Sequence, residues 1–407
     1  MNHNWKRAIA SFLVLALVAV LCLGCAEETG EEAIITIGEI TDLTGPGAPG
    51  ALPFHYVIQD LARYYNEEGL IPGVRMKIVT YDTMLDPARD IPGYQWVRER
   101  GAQVVIAVMH TTAEILKPYV ERDKIPLVVP VCTMDIVEPS GWLFCASCPP
   151  SYEINTLLKW ISEERWDYGK GIPQIGFAGW SEPYSVEQER AMREYCQAHP
   201  AEFQWAGGFL APWGTMTWGG EVEKLKDCDY ISGFAYPTGS FIREFRSKGH
   251  TATFIGTSGQ PVYRGFFVDM CGWEALDGML TTSANLWWNE ASPMVELAEE
   301  LLHEYRLGQA EEIIYAGSGY LAGYHSVYAL FEVLRKAVEE VGAENFDGEA
   351  FYNAAIKFKT AGSMWEGYPE WSFGETERHF VKHVQIYQWN AEVGDLIRVS
   401  DWLPLVK

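Results

Sequence analysis

A strand–helix alternation that runs through the chain twice constrains its fold more than any other feature. Ile34-Ile35-Thr36-Ile37-Gly38-Glu39-Ile40 is short and β-branched, as a buried strand should be. Residues 41–47 break the chain with turn formers. Residues 54–68 then place Val57, Leu61 and Tyr64/Tyr65 at helical spacing before Gly69 stops them. Residues 74–81, 104–108 and 125–129 read as strands, and 91–100 and 113–122 as helices. After Pro149-Pro150 the pattern restarts. Helices over 154–164, 185–198, 221–226 and 240–248 alternate with strands over 174–178, 203–209, 230–235, 253–255 and 279–282. Helices over 293–306 and 319–340 follow, then a hairpin pattern over 383–389 and 396–399. Short loops in such an order put strands parallel and helices on both sheet faces. Two such units in series predict an α/β protein of two lobes with a cleft. Open α/β sheets bind ligands at the carboxyl ends of their strands.

The N-terminus speaks to compartment. Lys6 and Arg7 precede an apolar run over 9–23, broken only by Ser11, that is short for a membrane span. Gly24-Cys25 follows at once, then a polar stretch over 26–32. A small residue before Cys at the end of such a run resembles a bacterial lipobox. That resemblance implies a signal peptide over 1–24, lipidation of Cys25 and an acidic tether over 25–32. The departure is Cys22, where Leu is usual, with Leu21 one step further out; the alternative is an uncleaved anchor helix. Without residues 1–24 the chain has 383 residues, more than one ordinary core holds, and its formal charge moves from −24 to −26 as Lys6 and Arg7 leave. Such acidity argues against nucleic-acid or anionic-lipid partners.

Besides Cys25, the mature chain has Cys132, Cys145, Cys148, Cys196, Cys228 and Cys271. An even number in an exported protein permits disulfides in any of 15 full pairings. Cys145-Ala-Ser-Cys148 has CxxC spacing but runs into Pro149-Pro150 rather than a helix start that would stabilise a thiolate. Zinc needs a second close pair, and none exists. A structural disulfide or buried thiols is the better reading.

The order of motifs resembles the type I periplasmic binding proteins of the branched-chain amino acid, amide and urea class, which feed ABC importers. Residues 38–50 resemble the family's opening strand and Leu-Thr-Gly-Pro loop. Tyr65-Asn66-Glu67-Glu68-Gly69-Leu70-Ile71 is similar to its helix ending, and Tyr81-Asp82-Thr83-Met84-Leu85-Asp86-Pro87 to its Asp–Pro loop. Phe144-Cys145-Ala146-Ser147-Cys148-Pro149 matches its crossover in part, with Cys145 in place of Arg. Gly278-Met279 and the helix from Tyr320 to Leu334 also fit, so the resemblance runs from about Ile34 to Trp389. It implies a two-lobed periplasmic-binding-protein type I fold, each lobe a parallel sheet flanked by helices, with crossovers near Pro150, Ser283 and Gly362. Lobe one is then about 33–150 plus 284–362, and lobe two about 151–283 plus 363–407. The lobes would close on a ligand as about a hinge.

The resemblance also implies a site. In lobe one, His110, Thr111 and Thr112 follow the strand over 104–108 and begin a helix whose free N–H groups favour an anion; Thr111 or Thr112 would otherwise serve as a plain N-cap. Cys132 and Thr133 follow the next strand. From lobe two, Tyr184 matches the aromatic that closes over the ligand, and Tyr236 is a second wall residue. Ser258 stands where amino-acid binders hold an acid for the ligand ammonium. An unpaired buried ammonium costs several kcal/mol, so a zwitterion is disfavoured unless Glu182, Asp42 or Asp269 substitutes. The opening loop lacks an aromatic near Gly50. Trp180, Trp213, Trp218, Trp287 and Trp288 lie near strand ends or crossovers and would wall an aromatic or heterocyclic ligand, or else pack the core.

The expected function is capture of an amino-acid-like molecule, amide or aromatic acid outside the cytoplasm, at the membrane through lipidated Cys25, for an ABC permease. A sensory protein reporting to a membrane receptor is the alternative. An enzyme is disfavoured: His303, His325, His379 and His383 show no metal spacing, and GxSxG and P-loop motifs are absent. No cofactor, metal or nucleic acid is expected.

Overall fold

The computed structural model describes residues 32–233 and 236–407, with Tyr236 described for its backbone only. The leader and Cys25 lie outside the described residues. Among the described residues no helix is long and apolar enough to cross a membrane.

The first sheet is parallel, in the order β2-β1-β3-β4-β5. Its strands are β1 (Ala33–Thr41), β2 (Val74–Asp82), β3 (Ala102–Ala107), β4 (Leu127–Val129) and β5 (Leu143–Cys145). The β-branched β1 sits at its centre. Ile35 and Ile37 face one core and Ile40 the opposite one, so a strand buried on both sides reads as a continuous apolar run. Helix α1 (Ala48–Glu67) covers the first face, and α2 (Asp90–Glu99) and α3 (His110–Asp123) cover the second. At Gly38 a Cβ would lie 2.8 Å from that of Val97, so α2 approaches the sheet only because β1 has no side chain there.

Helix α4 (Pro150–Trp160) leads to the second sheet, of order β12-β11-β10-β9-β8-β6-β7 with β13 paired to β11. Its parallel part is β6 (Gln174–Trp180), β7 (Gln204–Ala211), β8 (Tyr230–Ser232), β9 (Thr253–Gly256) and β10 (Leu280–Ser283). The expected C-terminal hairpin, β11 (His383–Asn390) and β12 (Asp395–Arg398), extends it antiparallel, with β13 (Leu403–Pro404). α4 and α5 (Pro183–Ala198) pack one face through Leu157, Met192 and Tyr195, and α6 (Tyr236–Ser247) and α7 (Arg264–Cys271) pack the other.

Between β10 and β11 the chain returns to the first core. Helices α8 (Pro293–Tyr305), α9 (Gly319–Val341) and α10 (Gly348–Ala355) pack there, with the longest, α9, against α1. Trp365, Trp371, Phe373 and Phe380 belong to the same core, so the second sheet is rejoined at His383, well beyond the crossover expected near Gly362. This aromatic-rich segment has no strand periodicity; its rings pack into the first core, and its backbone bonds to the end of β5, where the Cys145 N–H donates to the Arg378 carbonyl (2.7 Å) and the Phe380 N–H to the Cys145 carbonyl (2.9 Å). Cys132 and Cys145 form a disulfide, whereas Cys148, Cys196 and Cys228 are buried free thiols and Cys271 is half-buried.

Candidate ligand-binding site

Each sheet changes direction of strand order at one point, β1/β3 in the first and β6/β8 in the second, and a crevice opens at such points beyond the strands' carboxyl ends. The two crevices face each other across one cavity of about 440 Å³. Every strand from β1 to β10 sends residues from its C-terminal end to the wall. Pro46, Leu85, His110, Val131 and Ser147 come from the first sheet; Glu182, Trp213, Pro237, Ser258 and Asn285 come from the second. α9 completes the floor with Ala322, His325 and Ser326, which share one helical face.

The wall is mostly apolar and, among the described residues, contains no Lys or Arg. Trp180 and Trp213 meet with ring centroids 4.7 Å apart at its second-sheet side. Tyr263 supplies an aromatic beside the opening loop: a Cβ on Gly50 would lie 2.2 Å from the Tyr263 hydroxyl oxygen. The aromatic that the opening loop lacks thus comes from the opposite lobe, into space that only glycine leaves.

Among the described residues Glu182 is the one acid on the wall. It caps α5, accepting the N–H groups of Tyr184 (2.9 Å) and Ser185 (2.5 Å), and it meets His110 Nε2 at 3.2 Å across the cleft. Burial pushes the carboxyl up, but the bonds from His110 and Ser185 outweigh it, and the net shift is downward, so Glu182 stays ionised. Neither alternative acid reaches the wall. Asp42 accepts the Gly45 and Gly47 N–H groups, and Asp269 accepts the Tyr315 hydroxyl on an exposed face.

Of the expected site residues, the structure brings His110, Tyr184 and Ser258 to the cavity. Tyr184 is buried and its hydroxyl donates to Thr257 Oγ1 at 3.1 Å. Ser258 is held by Glu153, which accepts its N–H (2.7 Å) and its hydroxyl (2.9 Å) along with the Thr282 hydroxyl. Burial raises the Glu153 carboxyl, and these bonds oppose the rise. The remaining hydroxyls have other partners. Thr112 is buried and donates to Asp90, and Thr133 is buried and donates to Glu114. Thr111 is partly buried and does not line the wall, and Cys132 is closed in its disulfide behind Val131. Tyr236 opens α6, and its side chain lies outside the described residues. Among the tryptophans, Trp180 and Trp213 line the cavity. Trp218 is buried with Ser240, and Trp287 donates to Asp395 and Trp288 to Gly317. Sequence reasoning missed Tyr263, Ser326 and the role of His325. Only the 3–4 spacing of Ala322, His325 and Ser326 on one helix face could have signalled the last two. Among the described residues no cluster of His, Cys, Asp or Glu could hold a metal.

Direct contacts tie the two sheets together around the cavity. Glu187 accepts the Met134 N–H (2.7 Å) and the Ser151 hydroxyl (2.6 Å). Arg264, buried, donates to the Ile314 carbonyl (2.9 Å) and pairs with Asp395 (2.8 Å).

Two α/β sheets that meet at their switch points around one apolar cavity define a two-lobed binding protein. The chain belongs to the periplasmic binding protein family, whose model matches residues 34–394. That family is one of solute-binding proteins rather than enzymes. Solved structures share the fold. A branched-chain amino acid ABC transporter protein from Thermus thermophilus with bound valine superimposes with a TM-score of 0.80 at 17% identity, covering 92% of this chain and 97% of that one. A fatty acid ABC transporter substrate-binding protein from Thermomonospora curvata gives 0.77 at 15%, covering 91% and 92%. A solute-binding protein of R. palustris in complex with 4-hydroxybenzoate gives 0.74 at 19%, covering 92% and 97%. No curated protein sequence matches significantly.

Proposed function

We propose that this protein captures a small organic acid with an apolar or aromatic body and passes it to an ABC permease, working outside the cytoplasm on a lipid tether at Cys25. The observation that supports this reading is the wall itself: an apolar cavity of about 440 Å³ fed by ten strand ends, within the size range of small-molecule sites. No side chain caps α3, so its first-turn N–H groups and dipole are available to a carboxylate beside His110. The Trp180–Trp213 pair offers a face for a ring. His110 occupies the side of Glu182 that a ligand ammonium would need, which favours acids without an amino group. Solved relatives bind valine, 4-hydroxybenzoate or, by name, fatty acids, and the apolar wall resembles what the latter two require.

A thermal-shift screen of aromatic acids, medium-chain fatty acids, amino acids, amides and urea tests the reading. Aromatic or aliphatic acids should raise Tm, by mass action on the folded state. A screen in which only amino acids stabilise, or in which nothing does, would sink it.

A further inference from the structure

The cavity wall has a buried polar group that the capture of an apolar acid does not use. His325 lies on α9 and is 3% exposed, yet it is a wall residue of the cavity. Four aromatic rings enclose it. Trp371 and Trp365 stand edge-on at 4.6 and 5.2 Å, Tyr368 stacks at 5.7 Å, and Phe380 lies at 6.0 Å. Among the described residues its Nε2 is buried with no hydrogen-bond partner, and no charged group contributes to its titration. Burial alone pushes its pKa down to about 3, so the ring is neutral and offers one donor and one acceptor. Its neighbour Ser326 spends its proton on the Ala322 carbonyl (2.9 Å), which leaves the oxygen lone pairs as acceptors. Ser326 also borders an apolar crevice of about 10 Å³, too small for more of a ligand.

We propose that His325 and Ser326 form a specificity subsite for a neutral hydroxyl at the end of the ligand farthest from its carboxylate. The inference rests on the organic-acid reading above and names the class of acid: a hydroxy acid whose two polar ends are separated by an apolar or aromatic body. A hydroxyl both donates and accepts, so it satisfies either tautomer of the ring. A second carboxylate only accepts and would bring a charge that a neutral ring in an aromatic cage cannot balance. A methyl group would leave the buried imidazole unpaired.

The test measures binding by calorimetry for matched probes: phenylacetate against 4-hydroxyphenylacetate, and octanoate against 8-hydroxyoctanoate, with the dicarboxylate octanedioate as the charged control. The hydroxylated member of a bound pair should bind about tenfold more tightly, the worth of one buried hydrogen bond. Octanedioate should bind more weakly than octanoate. In His325→Phe, which keeps the cage filled, the hydroxyl preference should disappear, the ratio of affinities for the hydroxylated and unsubstituted acids falling to about one. His325→Gln, which restores a donor and an acceptor, should recover part of it. If acids bind but the hydroxyl brings no advantage, or the advantage survives in His325→Phe, this inference is overturned and the capture of organic acids stands. If no probe binds, both fall.

Discussion

Glu182 and His110 set the charge of what the cavity accepts. Each Glu182 oxygen takes an N–H of α5, and His110 takes the side that faces the first sheet. His110→Ala uncovers the Glu182 carboxyl opposite the N-terminus of α3, where a ligand ammonium can take the place of His110 as its partner, the pairing a zwitterion requires. Calorimetry with leucine or phenylalanine should then show affinity gained by about tenfold or more, on the scale of one charge-assisted hydrogen bond. Unchanged amino-acid binding would mean that His110 does not select. The buried histidines make a second residue-scale prediction. Burial pushes His325 to about 3 and His379 to about 4, below the ordinary value of 6.5. The unfolded chain therefore binds more protons between pH 6.5 and the folded values. The stability of the neutral rings is fully present above about 6.5 and is lost as pH falls through that window, by about 2 kcal/mol for each histidine at pH 5. Urea unfolding at pH 7 and pH 5 should show a smaller loss for His379→Gln than for the parent. Comparing the two chains removes the opposing effect of acid on a chain with a formal charge of −24, which protonation relieves.

At the scale of elements, the Cys132–Cys145 bond joins the loop leaving β4 to the end of β5, and both loops supply wall residues, Pro130 and Val131 on one side and Ala146 and Ser147 on the other. With the cysteines 13 positions apart in the sequence, the double variant Cys132→Ser/Cys145→Ser should lose about 3 kcal/mol of stability in urea titration. An unchanged midpoint would show that the bond is not needed to hold this edge. The elements were largely legible in the sequence because buried parallel strands announce themselves as β-branched runs such as Ile34 to Ile40, and the loops after them fall where alternation stops. His110, Tyr184 and Ser258 were legible for that reason: they directly follow strand ends. Cys132 was not, because disulfide pairing depends on which loops the sheet order brings together. Thr112 and Thr133 were expected at the ligand, but a hydroxyl's partner is chosen by neighbours far along the chain, Asp90 and Glu114 here. His325 was hidden deepest. It lies in mid-helix with no motif, and it reaches the cavity only because α9 crosses the strand ends.

At the scale of the whole molecule, the Tyr263 hydroxyl against Gly50, the His110–Glu182 pair and the Glu187 bonds all span the two sheets, so the described conformation is the closed one. Gly50→Leu places a side chain where Tyr263 comes to rest. Small-angle scattering should find that variant with a larger radius of gyration than the parent in saturating ligand, and its affinity should fall at least tenfold. An unchanged radius would mean that the lobes meet elsewhere. The ten strand ends have a further consequence. No strand interior touches the cavity, so each wall position can change while the hydrogen-bonded ladder beneath it stays intact. Substitutions on loops that do not touch one another should then combine additively in binding energy. A lineage with this architecture can drift from one nutrient to another in many small steps, with no intermediate that fails to fold.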